Sequence, residues 1–516
     1  MMFPIPPREF PNEMPPCALV IFGATGDLTA RKLLPALYNL SRENQLPDRF
    51  ACIGYARRSK EHKDFRLEMQ EAVSMYGNHK ELDVHAWERL ERRLFYHQGF
   101  FDEDKDYVSL KDFLKRIDTE FLTEGNRLFY LSTPPSNFQE IIQRLRKHEL
   151  FIPHEERNSC CSKKDSWTRV IIEKPFGHDL KTAKELQKCI DDNLCETCVY
   201  RIDHYLGKET VQNIQSIRFA NKIFESCWTK ECIDNVQITV SESIGIGTRG
   251  NFFEQSGMLR DMVQNHMMQL LCLLTMEPPT SFSSESIKKE KIQVLDNIVP
   301  FSEFAPSVFP AVRGQYGPGK VGGVSVKGYR QEDFVAPDSL VETYVALKIL
   351  IDTPRWQGVP FYLRAGKRLE KRCTDIAITF KKPIHGDFFA KERLENDLLI
   401  IRIQPDEGVA LKFNCKVPGV SNLVRPVKMD FRYDSYFKTQ APEAYERLLC
   451  DCILGDRTLF TGNDEVIASW KLFTPLLEKW MTDPSDAVFP NYVAGSSGPR
   501  CADSLIRSDG RSWRSL

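Results

Sequence analysis

Ala18-Leu-Val-Ile-Phe-Gly-Ala-Thr-Gly-Asp-Leu28 is the stretch that decides the fold. The continuous apolar run Ala18–Phe22 reads as a strand buried on both faces. It leads into the turn Gly23–Leu28 and a helical pattern through Leu40. Strand, glycine turn and helix in that order suit a pyrophosphate. The glycines let backbone N–H groups come close, and the helix start adds partial positive charge. The third glycine of the usual fingerprint is absent, with Thr29 in its place, and a plain tight turn also accounts for Gly23 and Gly26.

Working outward, Phe50–Gly54, Arg127–Leu131, Val170–Glu173 and Cys198–Ile202 read as further strands, with helices over Lys60–Arg93 between them. Ser136-Asn-Phe-Gln139 fits a capping box that opens a helix to His148. This alternation predicts an α/β, Rossmann-like, doubly wound parallel sheet. An NAD site would place Asp or Glu at the end of the second strand for the ribose 2′-hydroxyl. Arg57 and Arg58 stand there instead, and a guanidinium fork suits the 2′-phosphate of NADP. A solvated arginine pair after a strand is the bland alternative.

The second half alternates with a period of two at Val236–Val240, Ile376–Phe380, Val409–Cys415 and Val427–Phe431. Pro405-Asp-Glu-Gly408 supplies a turn, and helices are expected over Pro442–Ile453 and Asn463–Trp480. The expected architecture is α+β: a large, mostly antiparallel, half-buried sheet with helices on one face. The expected division is a flexible Pro-rich head at 1–16, a coenzyme domain at 17–203, a substrate and dimerisation domain at 204–495, and a loose tail at 496–516.

Composition narrows the function. With 70 Lys plus Arg against 71 Asp plus Glu, the chain of 516 residues lacks the charge of a nucleic-acid or membrane-surface binder. No apolar run reaches the ~18–20 residues of a membrane helix. The start, rich in proline, shows no secretory signal. Fifteen cysteines, an odd number in a long chain, point to a reducing cytoplasm. Cys195-x-x-Cys198 and Cys160-Cys161 lack the second pair at ligand spacing that a zinc site needs, so no metal is expected.

Three segments carry polar groups where chemistry would need them. Lys174, in Glu173-Lys-Pro-Phe-Gly177, follows a strand at the edge where ligands of open sheets bind, and a cis bond to Pro175 is expected. Arg201-Ile-Asp-His-Tyr-Leu-Gly-Lys-Glu209 gathers His204, Tyr205 and Lys208 ahead of a helix, a suitable phosphate cradle. In the helix read over Met258–Leu274, Asp261, Asn265 and Gln269 share one face, with His266 beside them. An imidazole titrating near neutrality suits general-base work. A strand-end lysine in solvent, a polar interdomain loop and a satisfied core histidine are the respective alternatives.

Taken together, these motifs closely resemble the glucose-6-phosphate dehydrogenase family. So do Arg355-Trp-Gln-Gly-Val-Pro-Phe-Tyr-Leu-Arg-Ala-Gly-Lys367 and Tyr445-Glu-Arg-Leu-Leu449, and the motifs run in the family's order over nearly the whole chain. The resemblance implies oxidation of D-glucose 6-phosphate to 6-phospho-D-glucono-1,5-lactone with hydride transfer to NADP, the first step of the oxidative pentose phosphate pathway. It implies His266 as general base and Asp203 as its carboxylate partner. His204, Tyr205, Lys208 and Lys367 are implied as the phosphate clamp, with Arg372 as a further basic contact. Glu242 and Asp261 are implied to bind sugar hydroxyls, and Lys174 to stand between coenzyme and sugar. Gly23, Ala24, Thr25, Gly26, Asp27 and Leu28 match the coenzyme loop, and Arg57 the 2′-phosphate contact. A homodimer or homotetramer, with subunits meeting through the large sheet, is implied as well.

The chain departs from the family at Ser132-Thr133, where Ala-Leu is more usual, and at 154–168, which reads as a surface insertion. Two other functions are weighed. A related Glu-Lys-Pro sugar oxidoreductase would do without the phosphate clamp. A catalytically inactive NADP-sensing scaffold would have lost part of the set His266, Asp203, Lys174 and Lys208.

Overall fold

The computed structural model describes residues 14–77, 81–151, 166–304, 310–383, 394–419, 423–437, 442–482 and 488–516. Most of the expected insertion, Cys160-Cys161 and nearly all of the proline-rich head lie outside these residues. The chain divides into two compact units. The first comprises residues through Gly207 together with Phe282–Glu285 and Pro442–Asn463; the second takes up the remainder from Lys208.

The first unit is built on six parallel strands: β1 (Cys17–Phe22), β2 (Phe50–Ala56), β3 (Leu94–Gln98), β4 (Arg127–Leu131), β5 (Thr168–Glu173) and β6 (Val199–Ile202). Their order, β3-β2-β1-β4-β5-β6, is that of a Rossmann-like sheet. Residues of β1, β2 and β4 are buried without exception, as expected where helices cover both faces of a parallel sheet. Sequence periodicity misses β3, because this short edge strand is only partly buried. The capping box expected at Ser136 does not form. A 3₁₀ turn, Pro135–Asn137, precedes the helix Phe138–Lys147, which has no side-chain cap.

The late helix Ala444–Leu454 packs into this unit's core through Leu448, Leu449 and Cys452. Burying a leucine contributes roughly 1.5–3 kcal/mol. Asn39 donates to Glu446 at 2.8 Å, and the Lys32–Glu443 ion pair spans 3.1 Å. Gly455, at φ 87°, ends the helix in the left-handed conformation that glycine adopts without strain.

The second unit holds β7 (Ile233–Ser241), β8 (Ala311–Gly314), β9 (Tyr344–Ile349), β10 (Phe361–Gly366), β11 (Cys373–Phe380), β12 (Leu398–Gln404), β13 (Gly408–Lys416) and β14 (Val424–Arg432). They form one sheet in the order β14-β13-β12-β11-β7-β10-β9-β8. Only the β7–β10 pair is parallel. Strand β13 is buried only at Gly408 and Ala410, and β14, at the sheet edge, has no buried residue, so the half-buried pattern expected at Val427–Phe431 gives way to a largely exposed strand.

The centre of the sheet differs, because Gln237 and Thr239 of β7 are buried along with their apolar neighbours. The segment after Gly495, expected to be loose, accounts for this. Ser512 carbonyl accepts from Gln237 Nε2 at 3.0 Å, and Arg514 N–H donates back to Gln237 Oε1 at 2.8 Å. Arg511 pairs with Asp234 at 2.8 Å and Arg514 with Asp375 at 2.6 Å. No helix among the described residues is long and apolar enough to cross a membrane.

Candidate active site

In the first unit, candidate residues gather at the carboxyl ends of β1, β2, β4, β5 and β6. The strand order reverses between β1 and β4, and ligands of open α/β sheets bind at such a reversal. The Gly23 and Ala24 N–H groups both donate to Tyr55 carbonyl, and Gly26 N–H donates to Gly23 carbonyl at 2.9 Å. Gly23 has φ +83°, and a Cβ there would stand 2.2 Å from Ser132 carbonyl oxygen, so only glycine fits. Thr29, in place of the third glycine, is buried and reaches Ser132 Oγ at 3.3 Å. The helix after the turn opens with a π turn, Thr29–Leu33, and Asp27 ties to Arg31 across 2.5 Å.

Arg57 follows β2 at the same edge and is exposed. A glycine turn at a helix start, with an exposed guanidinium on the neighbouring strand end, fits a dinucleotide carrying a 2′-phosphate.

Lys174 follows β5, and its bond to Pro175 is cis, as expected. Sequence reasoning gave no role to Glu173, although it is quoted in the motif. Tyr130 hydroxyl donates to the Glu173 carboxyl at 2.5 Å, and Tyr445 hydroxyl is a second donor. Burial raises this carboxyl from 4.5 to about 7 against the pull of both hydroxyls. The folded protein therefore holds a proton here that the unfolded chain releases between those values. Stability is greatest below pH 4.5 as far as this group is concerned, and falls as pH rises toward 7. The linkage is worth on the order of 3 kcal/mol. Glu173→Gln is expected to flatten the decline in melting temperature between pH 5 and 7, relative to the parent chain, and an unchanged slope would contradict it.

Asp203 and Tyr205 are buried and His204 is half-buried. Asp203 Oδ1 accepts the Tyr205 N–H at 3.0 Å, which fixes the turn after β6. The His204 ring lies parallel to Tyr445, centroids 6.4 Å apart. Tyr445 thus touches both Glu173 and His204, a junction visible only after the Ala444–Leu454 helix has folded back onto the sheet.

The second unit gathers another set. Lys367 is 1% exposed; its ammonium lies 2.5 Å from Glu242 and 4.0 Å from Asp261, and 5.1 Å from the centre of the Phe253 ring. The structure therefore brings Lys367 to the two carboxylates implied for sugar hydroxyls. Lys208 donates to Gln404 at 2.7 Å, a partner that periodicity gave no reason to single out. Arg372 is exposed just before β11, whose first residue, Cys373, pairs with Ser241 of β7.

His266 is wholly buried. The helix read over Met258–Leu274 is not a plain α-helix. Gly257 breaks it with φ 64°, and Leu259–Met267 is π-helical before α geometry resumes at Met268–Thr275. The wider π turn alters the spacing of an α-helix, and it carries Asp261 in its first turn and His266 in its last. A Cβ at Gly257 would meet Glu342 Oε1 at 2.4 Å, and Glu342 accepts the Leu259 N–H at 3.0 Å. At the other end Arg218 donates to the Leu273 and Met276 carbonyls, Trp228 to Leu274 and Trp356 to Thr275. Three buried side chains thus satisfy the helix's terminal carbonyls.

The chain matches "Glucose-6-phosphate dehydrogenase, NAD binding domain" over residues 20–213 and "Glucose-6-phosphate dehydrogenase, C-terminal domain" over 215–514. It is 65% identical over 510 residues to glucose-6-phosphate 1-dehydrogenase of Chlamydia pneumoniae, covering 98% of this chain and 97% of the relative. The Bacillus subtilis enzyme of that name is 41% identical over 503 residues, covering 97% and 99%. A solved glucose-6-phosphate dehydrogenase in complex with glucose 6-phosphate superposes with a TM-score of 0.85 at 36% identity, covering 97% of this chain and 99% of that one. Two family domains in series and near-complete coverage at this identity leave one conclusion: the chain belongs to the glucose-6-phosphate dehydrogenase family.

Proposed function

We propose that this chain oxidises glucose 6-phosphate at C1, with NADP as hydride acceptor, and releases 6-phosphoglucono-1,5-lactone. The observation that carries the reading is the buried His266 on a π turn with Asp261, in the unit where Lys367 meets Glu242 and Asp261. Forming the lactone removes a proton from the 1-hydroxyl and a hydride from C1. The nicotinamide, when bound, accepts the hydride.

The chain supplies the rest. His266 takes the hydroxyl proton, and Asp203 stabilises the imidazolium that results. Glu242 and Asp261 accept hydrogen bonds from sugar hydroxyls. His204, Tyr205, Lys208 and Lys367 bind the phosphate, with Arg372 as a further cation, and binding energy at that remote group orients C1. Lys174 serves both ligands. The loop Gly23–Leu28 holds the pyrophosphate, and Arg57 the 2′-phosphate.

The direct assay follows nicotinamide absorbance with glucose 6-phosphate and either NADP or NAD; no reduction with either coenzyme overturns the reading. Lys208→Ala is expected to raise KM for the sugar phosphate about tenfold or more, the worth of a charge-assisted hydrogen bond. Activity indifferent to that change would favour a sugar oxidoreductase without a phosphate clamp.

A homo-oligomer meeting through the outer part of the large sheet is part of this proposal. Val427 and Met429 on β14, with Tyr436 and Phe437 after it, form an exposed apolar cluster of the kind subunits cover. Light scattering is expected to give at least twice the chain's 59.6 kDa; a monomer contradicts it. The proposed compartment is the cytoplasm, supported by the reduced thiols of Cys17, Cys52 and Cys272 in the cores. Recovery from the secreted fraction of cells would overturn that.

A further inference from the structure

The described cysteines differ in what they can do. Cys17, Cys52, Cys272, Cys450 and Cys452 are buried in the two cores, and burial pushes the Cys17 thiol up to about 12. Cys227 and Cys232 are partly open to solvent, and their thiols stand close enough to hydrogen bond to each other.

The backbone holds them there. Cys227 ends the short helix Lys222–Cys227. The chain then turns, with the Cys232 and Ile233 N–H groups both donating to Thr229 carbonyl at 3.1 and 2.9 Å as β7 begins. Both sides of the turn are pinned. Lys230 N–H donates to Arg355 carbonyl at 2.8 Å, Arg355 donates to Trp228 carbonyl at 2.9 Å, and Lys381 N–H donates to Cys232 carbonyl at 2.7 Å.

We propose that Cys227 and Cys232 are a reversible dithiol–disulfide pair, a modification site on the second unit that takes a disulfide oxidant such as oxidised glutathione. One protein thiolate attacks the external disulfide, forms a mixed disulfide and expels one glutathione thiolate. The second protein thiolate attacks the protein sulfur of that mixed disulfide, closes the Cys227–Cys232 bond and expels the other glutathione. The two cysteines lose two electrons and two protons, and the oxidant ends as two glutathione thiols.

Burial and the adjacent thiol raise Cys227 above its ordinary value, so exchange quickens as pH rises. The closed ring contains Trp228, whose indole donates to Leu274 carbonyl at the end of the helix that carries His266. The bond therefore stiffens the segment presenting one of that helix's caps.

The test is peptide mapping of the full-length folded chain after equilibration with oxidised glutathione, with remaining thiols blocked and no reductant. Trypsin cuts after Lys222, Lys230 and Arg249, so Cys227 and Cys232 fall in the separate peptides 223–230 and 231–249. The expected result is one linked species that dithiothreitol splits. In Cys232→Ser, peptide 223–230 is expected to carry glutathione instead. Recovery of the two wild-type peptides apart, as free thiols or as separate glutathione adducts, overturns the pairing. So does a linkage of either cysteine to a third.

Discussion

His266→Asn is expected to lower kcat with glucose 6-phosphate about 10²–10⁴-fold, the usual worth of a positioned base, with KM little changed. Asparagine keeps a polar group of similar reach but cannot accept the hydroxyl proton. The side chain is wholly buried and set by the π turn Leu259–Met267, so the substitution removes basicity at a fixed place. A rise in KM with kcat preserved would mean that His266 contributes binding alone. Turnover near that of the parent chain would place the base elsewhere. On the roles proposed above, Asp203→Asn leaves the base in place and is expected to cost less in kcat than His266→Asn.

The largest effect on stability is expected at Lys291. Its ammonium, 1% exposed, lies 2.5 Å from Glu465, a fully buried carboxylate that also accepts from Gln269 at 3.2 Å. The pair joins the helix Ser284–Asp296 to Asn463–Thr482, and Gln269 links it to the helix that follows His266. Lys291→Met is expected to cost about 3–5 kcal/mol in chemical denaturation, since it strands a charge in a low-dielectric interior. Adding Glu465→Gln is expected to recover more than half of that loss by removing the stranded charge. A loss below about 1 kcal/mol in the single variant would mean that water reaches the site.

The coenzyme unit was legible because its signals are local. A buried parallel strand is apolar on both faces, so β1 stands out as a continuous run. The turn after it needs glycine for reasons of φ and close approach, which one residue can reveal. Edge strand β3 was not legible, because one open flank leaves no apolar run to read. The polarity of Gln237 and Thr239 suggested an open sheet face, whereas both are buried: the C-terminal segment meets the hydrogen bonds of Gln237, and Arg364 donates to the Thr239 hydroxyl.

At the site, residue types were legible and their company was not. His266, Asp261, Lys367 and Glu242 were picked out from motifs that resemble a family. The junction of Tyr445 with Glu173 and His204 was not foreseen, because it joins residues some 240 to 270 positions apart.

By itself the sequence determined the strand–turn–helix order, the glycine turn, the cations and carboxylates available for chemistry, and through its motifs the family. The tertiary structure alone decided which of them meet. It folded Pro442–Asn463 back into the coenzyme unit and laid the C-terminal segment on the large sheet. It also made a π turn, Leu259–Met267, of what reads as an α-helix, with Asp261 in its first turn and His266 in its last. The reason is the range of the forces: backbone propensity and periodicity act over a few residues, whereas burial of a helix, satisfaction of a buried amide and the pairing of Lys291 with Glu465 depend on partners far away in the chain.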